Sequence, residues 1–305
     1  MSRDLICIVG PTGVGKSALA LRLARHYGTA ILSADARQIY RYMDIGTAKP
    51  TPAERAAVPH DCIDILDPDQ PYNASRYEAD ARACMASRFA AQPVLIMAGG
   101  STLYVDAIWR GLDPVPAVGA AVRAQLRAEW EAGGLDPLLA ELAVADPVAY
   151  ARIDRQNPVR VLRALEVWRE TGQPISVFWQ GRQEPVRDYR LHKVGIDDHR
   201  DRLYARIDAR VDAMLAAGLV AEVQGLLDRG YDPACQALQS IGYREVIPLL
   251  QGQYDLATAR ALIQRNSRRY AKRQLTYYRS FGDIAWFRPG EDESVIAWLT
   301  AQMAR

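Results

Sequence analysis

The stretch Leu5-Ile-Cys-Ile-Val-Gly-Pro-Thr-Gly-Val-Gly-Lys-Ser-Ala-Leu-Ala20 decides how this chain is read. Leu5 to Val9 is an apolar run long enough for one buried strand. Gly10, Pro11, Thr12, Gly13, Val14, Gly15, Lys16 and Ser17 follow with the spacing G-x-x-x-x-G-K-[ST], and Ala18 to Tyr27 continues with a helical pattern. A strand, a glycine-rich turn and a helix start make a phosphate cradle. Loop N–H groups converge, the helix dipole adds positive potential, Lys16 adds a point charge, and the Ser17 hydroxyl can ligate Mg²⁺. A nucleoside triphosphate is the default occupant of such a loop. The cradle does not name a reaction, so the rest of the chain must.

Working outward, Ala30 to Ala34 reads as a second buried strand that ends on Asp35. Ligands of parallel sheets bind at the carboxyl ends of strands, so Asp35 would face the same mouth as the loop. It is equally placed to cap the turn Ala36 to Tyr40, and spacing alone leaves both roles open. Met43 to Pro50 is a loop in which Thr47 and Lys49 are compatible with phosphate. Cys62 to Leu66 reads as a third strand. Asn73 can cap a helix running to about Ala91, and Pro93 to Ala98 reads as a fourth strand. That strand opens into Gly99-Gly-Ser-Thr-Leu-Tyr104, a second strand–glycine–helix junction. A hydroxyl at Ser101 or Thr102 can meet a phosphate or a base there, or simply cap the helix. Asp35 and Asp64 are the only strand-end candidates for an aspartate facing Ser17, which counts against ordinary ATP hydrolysis. The pattern predicts an α/β fold with a P-loop NTPase-like parallel sheet core flanked by helices.

Leu112 to Gly119 is a Pro/Gly hinge, and from there to about Thr171 the periodicity is helical only. Residues 113–190 are therefore expected to form a small all-helical insertion domain within a core made of residues 1–112 and 191–305. The helix after Pro158 carries Arg160 and Arg163. Tyr189 to Ile196 returns as a strand, and the helix after it carries Arg202, Arg206 and Arg210 at i, i+4 and i+8, with Asp201, Asp208 and Asp212 close enough to neutralise part of the row. The last long helix, from about Asp255 to Ser280, holds Arg260, Arg265, Arg268, Arg269, Lys272, Arg273 and Arg279. No acid stands between Ala259 and Arg279, and Tyr270, Tyr277 and Tyr278 are interleaved. A solvated helix face normally mixes signs, whereas uncompensated positive charge with tyrosines suits a nucleic-acid backbone. The alternative is that the acids come from elsewhere in the fold.

The totals set the frame. A chain of 305 residues can bury a full core and divide into two domains. Hydrophobic residues at 49% and charged residues at 24% are ordinary for a globular protein, and no apolar run approaches the ~20 residues that span a bilayer. Met1 leads almost directly into the first strand, so a cytoplasmic location without a signal peptide is expected. Cys7, Cys62, Cys84 and Cys235 lack metal-type spacing and read as free thiols, and His26, His60, His192 and His199 are scattered. Net charge is +2, which argues neither for nor against nucleic acid. Of the 38 Lys and Arg, only Lys16, Lys49, Lys193 and Lys272 are lysine, so a Lys in a motif suggests a site that wants a compact ammonium.

The order of the motifs resembles the tRNA dimethylallyltransferase (isopentenyl-diphosphate:tRNA transferase) family across nearly the whole chain. The phosphate loop is followed by Ser33-Ala-Asp-Ala-Arg-Gln-Ile-Tyr40, Asp44-Ile-Gly-Thr-Ala-Lys-Pro50, Ile63-Asp-Ile-Leu-Asp-Pro68, Gly99-Gly-Ser-Thr-Leu-Tyr104, Arg163-Ala-Leu-Glu-Val167, Ile241-Gly-Tyr-Arg244 and Tyr270-Ala-Lys-Arg-Gln-Leu275. The resemblance implies transfer of a dimethylallyl group from dimethylallyl diphosphate to N6 of the adenosine just 3′ of the anticodon, with Mg²⁺ as cofactor. It implies that the loop Gly10 to Ser17, with Lys16, holds a leaving diphosphate, that Asp35 is the general base, that Ser101 supplies a hydroxyl, and that Arg206 helps with the diphosphate.

It further implies that a tRNA anticodon stem-loop touches Asp35, Ala36, Arg37, Gln38, Ser101 and Arg123. The same holds for Val159, Arg160, Val161, Leu162 and Arg163, for Gln239, Ser240, Ile241, Gly242, Tyr243 and Arg244, and for Lys272, Arg273, Gln274, Leu275, Thr276, Tyr277, Tyr278 and Arg279. The partners are then tRNA and dimethylallyl diphosphate, with no membrane, and the protein is expected to be a monomer. The chain departs from the family at Ser101 (usually Thr), Ala36 (usually Ser), Asp61 (usually a second His) and Val159 (often Gln). Rival readings are an adenylate isopentenyltransferase acting on free AMP, a P-loop small-molecule kinase and an RNA-binding switch without chemistry. A free-nucleotide enzyme needs neither the insertion nor the acid-free basic helix.

Overall fold

A computed structural model describes residues 3–179 and 186–304. Its strands are β1 (Asp4–Val9), β2 (Ile31–Ser33), β3 (His60–Asp61), β4 (Val94–Ala98), β5 (Arg190–Ile196) and β6 (Ala285–Phe287). They form one sheet in the order β3-β2-β4-β1-β5-β6, and every pairing is parallel. The helices are α1 (Lys16–Tyr27), α2 (Pro52–Ala57), α3 (Ala74–Ala91), α4 (Thr102–Arg110), α5 (Ala120–Gly133), α6 (Asp136–Ala145), α7 (Pro147–Arg152), α8 (Pro158–Thr171), α9 (Arg200–Ala216), α10 (Leu219–Asp228), α11 (Tyr243–Leu250), α12 (Leu256–Arg279) and α13 (Asp292–Met303). Among the described residues, no helix is long and apolar enough to cross a membrane.

Strand β1 is central and buried along its whole length, as its uninterrupted apolar run requires. Its neighbours are β4 and β5, and β2 lies beyond β4. The loops after β1, β4 and β2 therefore emerge side by side at the carboxyl edge of the sheet. The apolar core around Ile6, Ile8, Leu19, Leu23, Ile96 and Ile207 lies beneath them. Asn73 caps α3 by accepting from the N–H of Arg76, and Asp255 caps α12 by accepting from Thr258.

The segment Cys62 to Leu66 is not a strand, contrary to the sequence reading. Strand β3 ends at Asp61, and Cys62 and Asp64 take positive φ of 61° and 55°. The N–H groups of Asp64, Ile65 and Leu66 donate to carbonyls of Gln38 and Ile39, so the segment follows the turn after β2 instead of extending the sheet. Strand β6 and helix α13 carry patterns too short or too weakly periodic to stand out in sequence.

The chain divides into two compact units. Trp109 closes the first part of one, which resumes at Val186; Arg110 opens the other. The second unit is helical, built from α5 to α8 around Leu126, Leu142, Val161, Leu165 and Val167. Helix α8 begins with Pro158 in its first turn, is capped by Asn157 and ends at Gly172 with φ 70°. Arg169 ties this unit together by bonding Glu129 and Glu141 from α5 and α6.

Candidate active site

The phosphate loop is shaped by its neighbours as much as by its glycines. Gly10 has φ +146°, and a Cβ there would sit 2.3 Å from the carbonyl oxygen of Ile196 at the end of β5. Only glycine lets the chain turn off β1 that close to the next strand. Lys16 opens α1, and its Nζ donates to the carbonyl of Pro11 at 2.8 Å. Burial, and then the Arg210 guanidinium, push the Lys16 ammonium down to about 7, while Asp35 acts in the opposite direction. Arg210 comes from α9 and its Nη1 donates to Thr12 Oγ1 at 3.4 Å.

Asp35 lies two residues beyond β2. Its Oδ1 accepts from the N–H groups of Arg37 at 2.8 Å and Gln38 at 3.3 Å, so the carboxylate does cap the following turn. It also opens to the cavity, so the two roles left open by the sequence are compatible. The strand ends are locked together here. The Ser101 N–H donates to the Ala34 carbonyl at 3.1 Å, and a Cβ on Gly99 would lie 2.1 Å from that same oxygen. Glycine at 99 is thus what allows Ser101 to stand beside Asp35.

Asp35, Ser101, Arg210 and Thr12 line one cavity of about 410 Å³. Thr12, Asp35 and Ser101 face it from the sheet edge, Arg210 from α9, and Tyr270 and Arg273 from α12. Ile207, Val211, Met214 and Ile263 supply an apolar wall. The volume lies in the range of small-molecule sites. Burial, and then Asp35, push the Tyr270 phenol up to about 12, so it stays a neutral donor; its hydroxyl reaches the Gly100 carbonyl at 3.2 Å.

The structure gathers several of the expected nucleic-acid residues at this cavity: Ala36, Arg37, Gln239, Ser240, Ile241, Gly242, Arg244 and Arg273. Gln38 turns instead toward Ser17 and Ser33, in a smaller cavity of about 120 Å³. Val161, Tyr243, Gln274 and Tyr278 are fully buried, so their side chains are not offered to a macromolecule. Lys272, Thr276 and Arg279 are exposed, and Leu275 and Tyr277 are half-buried. In the helical unit, Val159 (73% exposed) and Arg160 face solvent, while Leu162 is half-buried. Arg123 and Arg163 of that unit share Glu166.

Other expectations are corrected. Arg206 does not line the cavity; it pairs with Asp198 at 2.8 Å, and the next arginine of its row, Arg210, enters instead. The i, i+4, i+8 spacing contained that residue without saying which member turns inward. Lys49 is not available to phosphate. Its ammonium donates to Asp44, Asp64 and the Tyr40 carbonyl, and its side chain is 1% exposed. Thr47 is spent on the Met43 carbonyl. Asp64 is engaged by Lys49 and Arg55 and does not line the small cavity that Ser17 lines. The Lys49 ammonium is buried and needs these partners, which fixes Lys49 as a strut even though Asp44 and Asp64 keep contact with solvent.

Residues 38–281 match the family model described as IPP transferase. The chain is 40% identical over 304 residues to the tRNA dimethylallyltransferase of Cytophaga hutchinsonii, covering 99% of this chain and 98% of that one. It is 44% identical over 300 residues to the tRNA dimethylallyltransferase of Syntrophobacter fumaroxidans, covering 98% and 87%. The crystal structure of the full-length tRNA isopentenylpyrophosphate transferase from Bacillus halodurans is similar at a TM-score of 0.73 and 35% identity, covering 99% of this chain and 97% of that one. On the span and identity of these matches, this chain belongs to the IPP transferase family.

Proposed function

We propose that this chain transfers the dimethylallyl group of dimethylallyl diphosphate to N6 of the adenosine just 3′ of the anticodon in tRNA. The observation that carries the reading is the opening of Thr12 of the phosphate loop, Asp35, Ser101 and Arg210 onto a single cavity with an apolar wall. The names of the relatives supply the substrate class.

In the reaction the C–N bond to N6 forms as the allylic C–O bond breaks, and the electron pair leaves with the diphosphate. The exocyclic amine is a poor nucleophile because its lone pair is delocalised into the ring, so Asp35 accepts its proton as the bond forms. Negative charge grows on the bridging oxygen. The loop N–H groups, Lys16 and Arg210 stabilise that charge where it develops, and diphosphate returns Lys16 to its cationic form. Ile207, Val211, Met214 and Ile263 are placed to hold the allyl chain and exclude water. The base leaves its stack to reach the cavity, at a cost of a few kcal/mol that is smallest in a single-stranded loop.

Ser17 stands exposed on the first turn of α1, and the described residues contain no cluster of three or more His, Cys, Asp or Glu suited to a metal. That donor set fits Mg²⁺ held by one protein hydroxyl, water and the diphosphate itself. When bound, the ion neutralises charge on the leaving group.

Helix α12 supports RNA binding more selectively than its composition suggests. Arg260, Arg268 and Arg279 are paired with Asp212, Asp208 and Asp197, whereas Arg265, Arg269 and Lys272 are exposed and have no ion pair among the described residues. Charge reversal at those three should weaken tRNA binding and lower the salt slope by about 0.7 to 0.9 for each phosphate no longer neutralised; an unchanged slope counts against this face.

The deciding experiment is nucleoside mass spectrometry of unmodified tRNA incubated with dimethylallyl diphosphate. An adenosine heavier by one dimethylallyl unit supports the assignment. Modification of free AMP alone, or ATP consumption without alkylation, overturns it.

A further inference from the structure

Gln274 is 1% exposed in a helix whose other polar residues mostly reach solvent. A buried amide is costly unless both ends are hydrogen-bonded. Both ends of this one are used. Its Oε1 accepts from the N–H of Thr12 at 2.8 Å, and its Nε2 donates to the carbonyl of Gly100 at 2.7 Å. The amide is therefore a strut from α12 across the two strand–glycine–helix junctions. Its Nε2 and the Lys16 ammonium both lie close to Gly100. A Cβ on Gly100 would lie 2.4 Å from Gln274 Nε2 and 3.9 Å from Lys16 Nζ.

That position bears on how many phosphates fit. Where a loop of this spacing holds a nucleoside triphosphate, its N–H groups cradle the inner two phosphates, and the lysine reaches outward to the last two. A third phosphate would extend past the lysine head, away from the helix start and toward the first residues of the loop. Here that direction leads to Thr12, whose N–H is taken, and to the amide that takes it. We propose that Gln274 is a specificity-determining residue that limits the cradle to two phosphates, both by filling the place of a third and by engaging the Thr12 N–H. The inference rests on the reading of the loop as a diphosphate site, and it explains how a loop with nucleotide spacing is kept for a diphosphate.

The test is calorimetric binding of inorganic diphosphate and of inorganic tripolyphosphate to the full-length protein, at one Mg²⁺ concentration. The wild type should prefer diphosphate by about tenfold or more. Gln274→Ala should narrow or invert that preference, and Gln274→Asn, one methylene shorter, should move it the same way by less. A merely structural role would weaken both ligands together and leave their ratio unchanged. Equal affinity of the wild type for the two ligands overturns the inference and leaves the diphosphate reading intact, as does a ratio that neither variant alters. If the wild type binds neither ligand, the diphosphate reading falls and the inference with it. Should Gln274→Ala fail to fold, the wild-type ratio and Gln274→Asn still decide.

Discussion

After β1, Gly10 turns against the Ile196 carbonyl, and the loop presents Lys16 while giving the N–H of Thr12 to Gln274. After β4, Gly99 lies against the Ala34 carbonyl, and Gly100 presents its own carbonyl to Tyr270 and Gln274. In sequence the two junctions look alike: an apolar strand, paired or spaced glycines, a hydroxyl and a helix. In space one brings positive charge and donors, and the other brings an acceptor and a hydroxyl while bracing the strand end that carries Asp35. A glycine-rich turn thus takes its chemistry from what packs against it. Here the first junction grips the leaving group, and the second positions the base.

The division of labour can be broken by substitution. Asp35→Ala should lose about a thousandfold or more in single-turnover rate while tRNA and dimethylallyl diphosphate still bind; a rate near wild type would remove Asp35 as the base. Lys16→Met should cost about a hundredfold or more, and should weaken dimethylallyl diphosphate binding as well, because its charge acts on the bound diphosphate and on the developing one. If Lys16→Met leaves that binding intact, the grip does not reside in the first junction. Ser101→Ala should cost about tenfold, since the bracing contact from residue 101 is its backbone N–H, which the substitution keeps. A loss as large as that at Asp35 would give the hydroxyl a direct part in the chemistry.

The smallest effect is a pH dependence. With the free Lys16 ammonium pushed down to about 7, the charged form prevails below that pH and the neutral form above it. A diphosphate binds the charged form, so binding takes up a proton as pH rises. Affinity for dimethylallyl diphosphate should fall roughly fivefold from pH 7 to pH 8, measured by calorimetry, and the slope should vanish in Lys16→Met. Affinity independent of pH across that window would show that Lys16 stays charged in the free site.

Much of the site was legible because it is local. The loop Gly10 to Ser17, the Asp35 turn and the Gly99 to Ser101 junction each depend on residues a few positions apart, which spacing can report. The acid-free stretch of α12 was legible as composition, but its meaning was not. Three of its arginines find aspartates on or just before α9, some 48 to 82 positions away, and these partners are set by packing. Lys49 looked like a phosphate ligand because the sequence cannot show that Asp64 folds back onto it. The segment Cys62 to Leu66 looked like a strand because its apolar content satisfies a strand pattern, although its hydrogen bonds go to Gln38 and Ile39.

By itself, then, the sequence determined that a parallel sheet carries a phosphate loop beside an aspartate, with a basic helix at the far end of the chain, since each follows from short-range periodicity and spacing. The tertiary structure decided which arginine of the α9 row enters the cavity, which lysine is free for phosphate, and that Gln274 closes on Thr12 and Gly100. Those choices depend on which side chains a parallel sheet with crossover helices brings together across long separations. The Lys49 and Gln274 choices were settled by the need to satisfy a buried charge and a buried amide, a requirement that exists only once the chain has folded, and Arg206 is held out of the cavity by its pairing with Asp198.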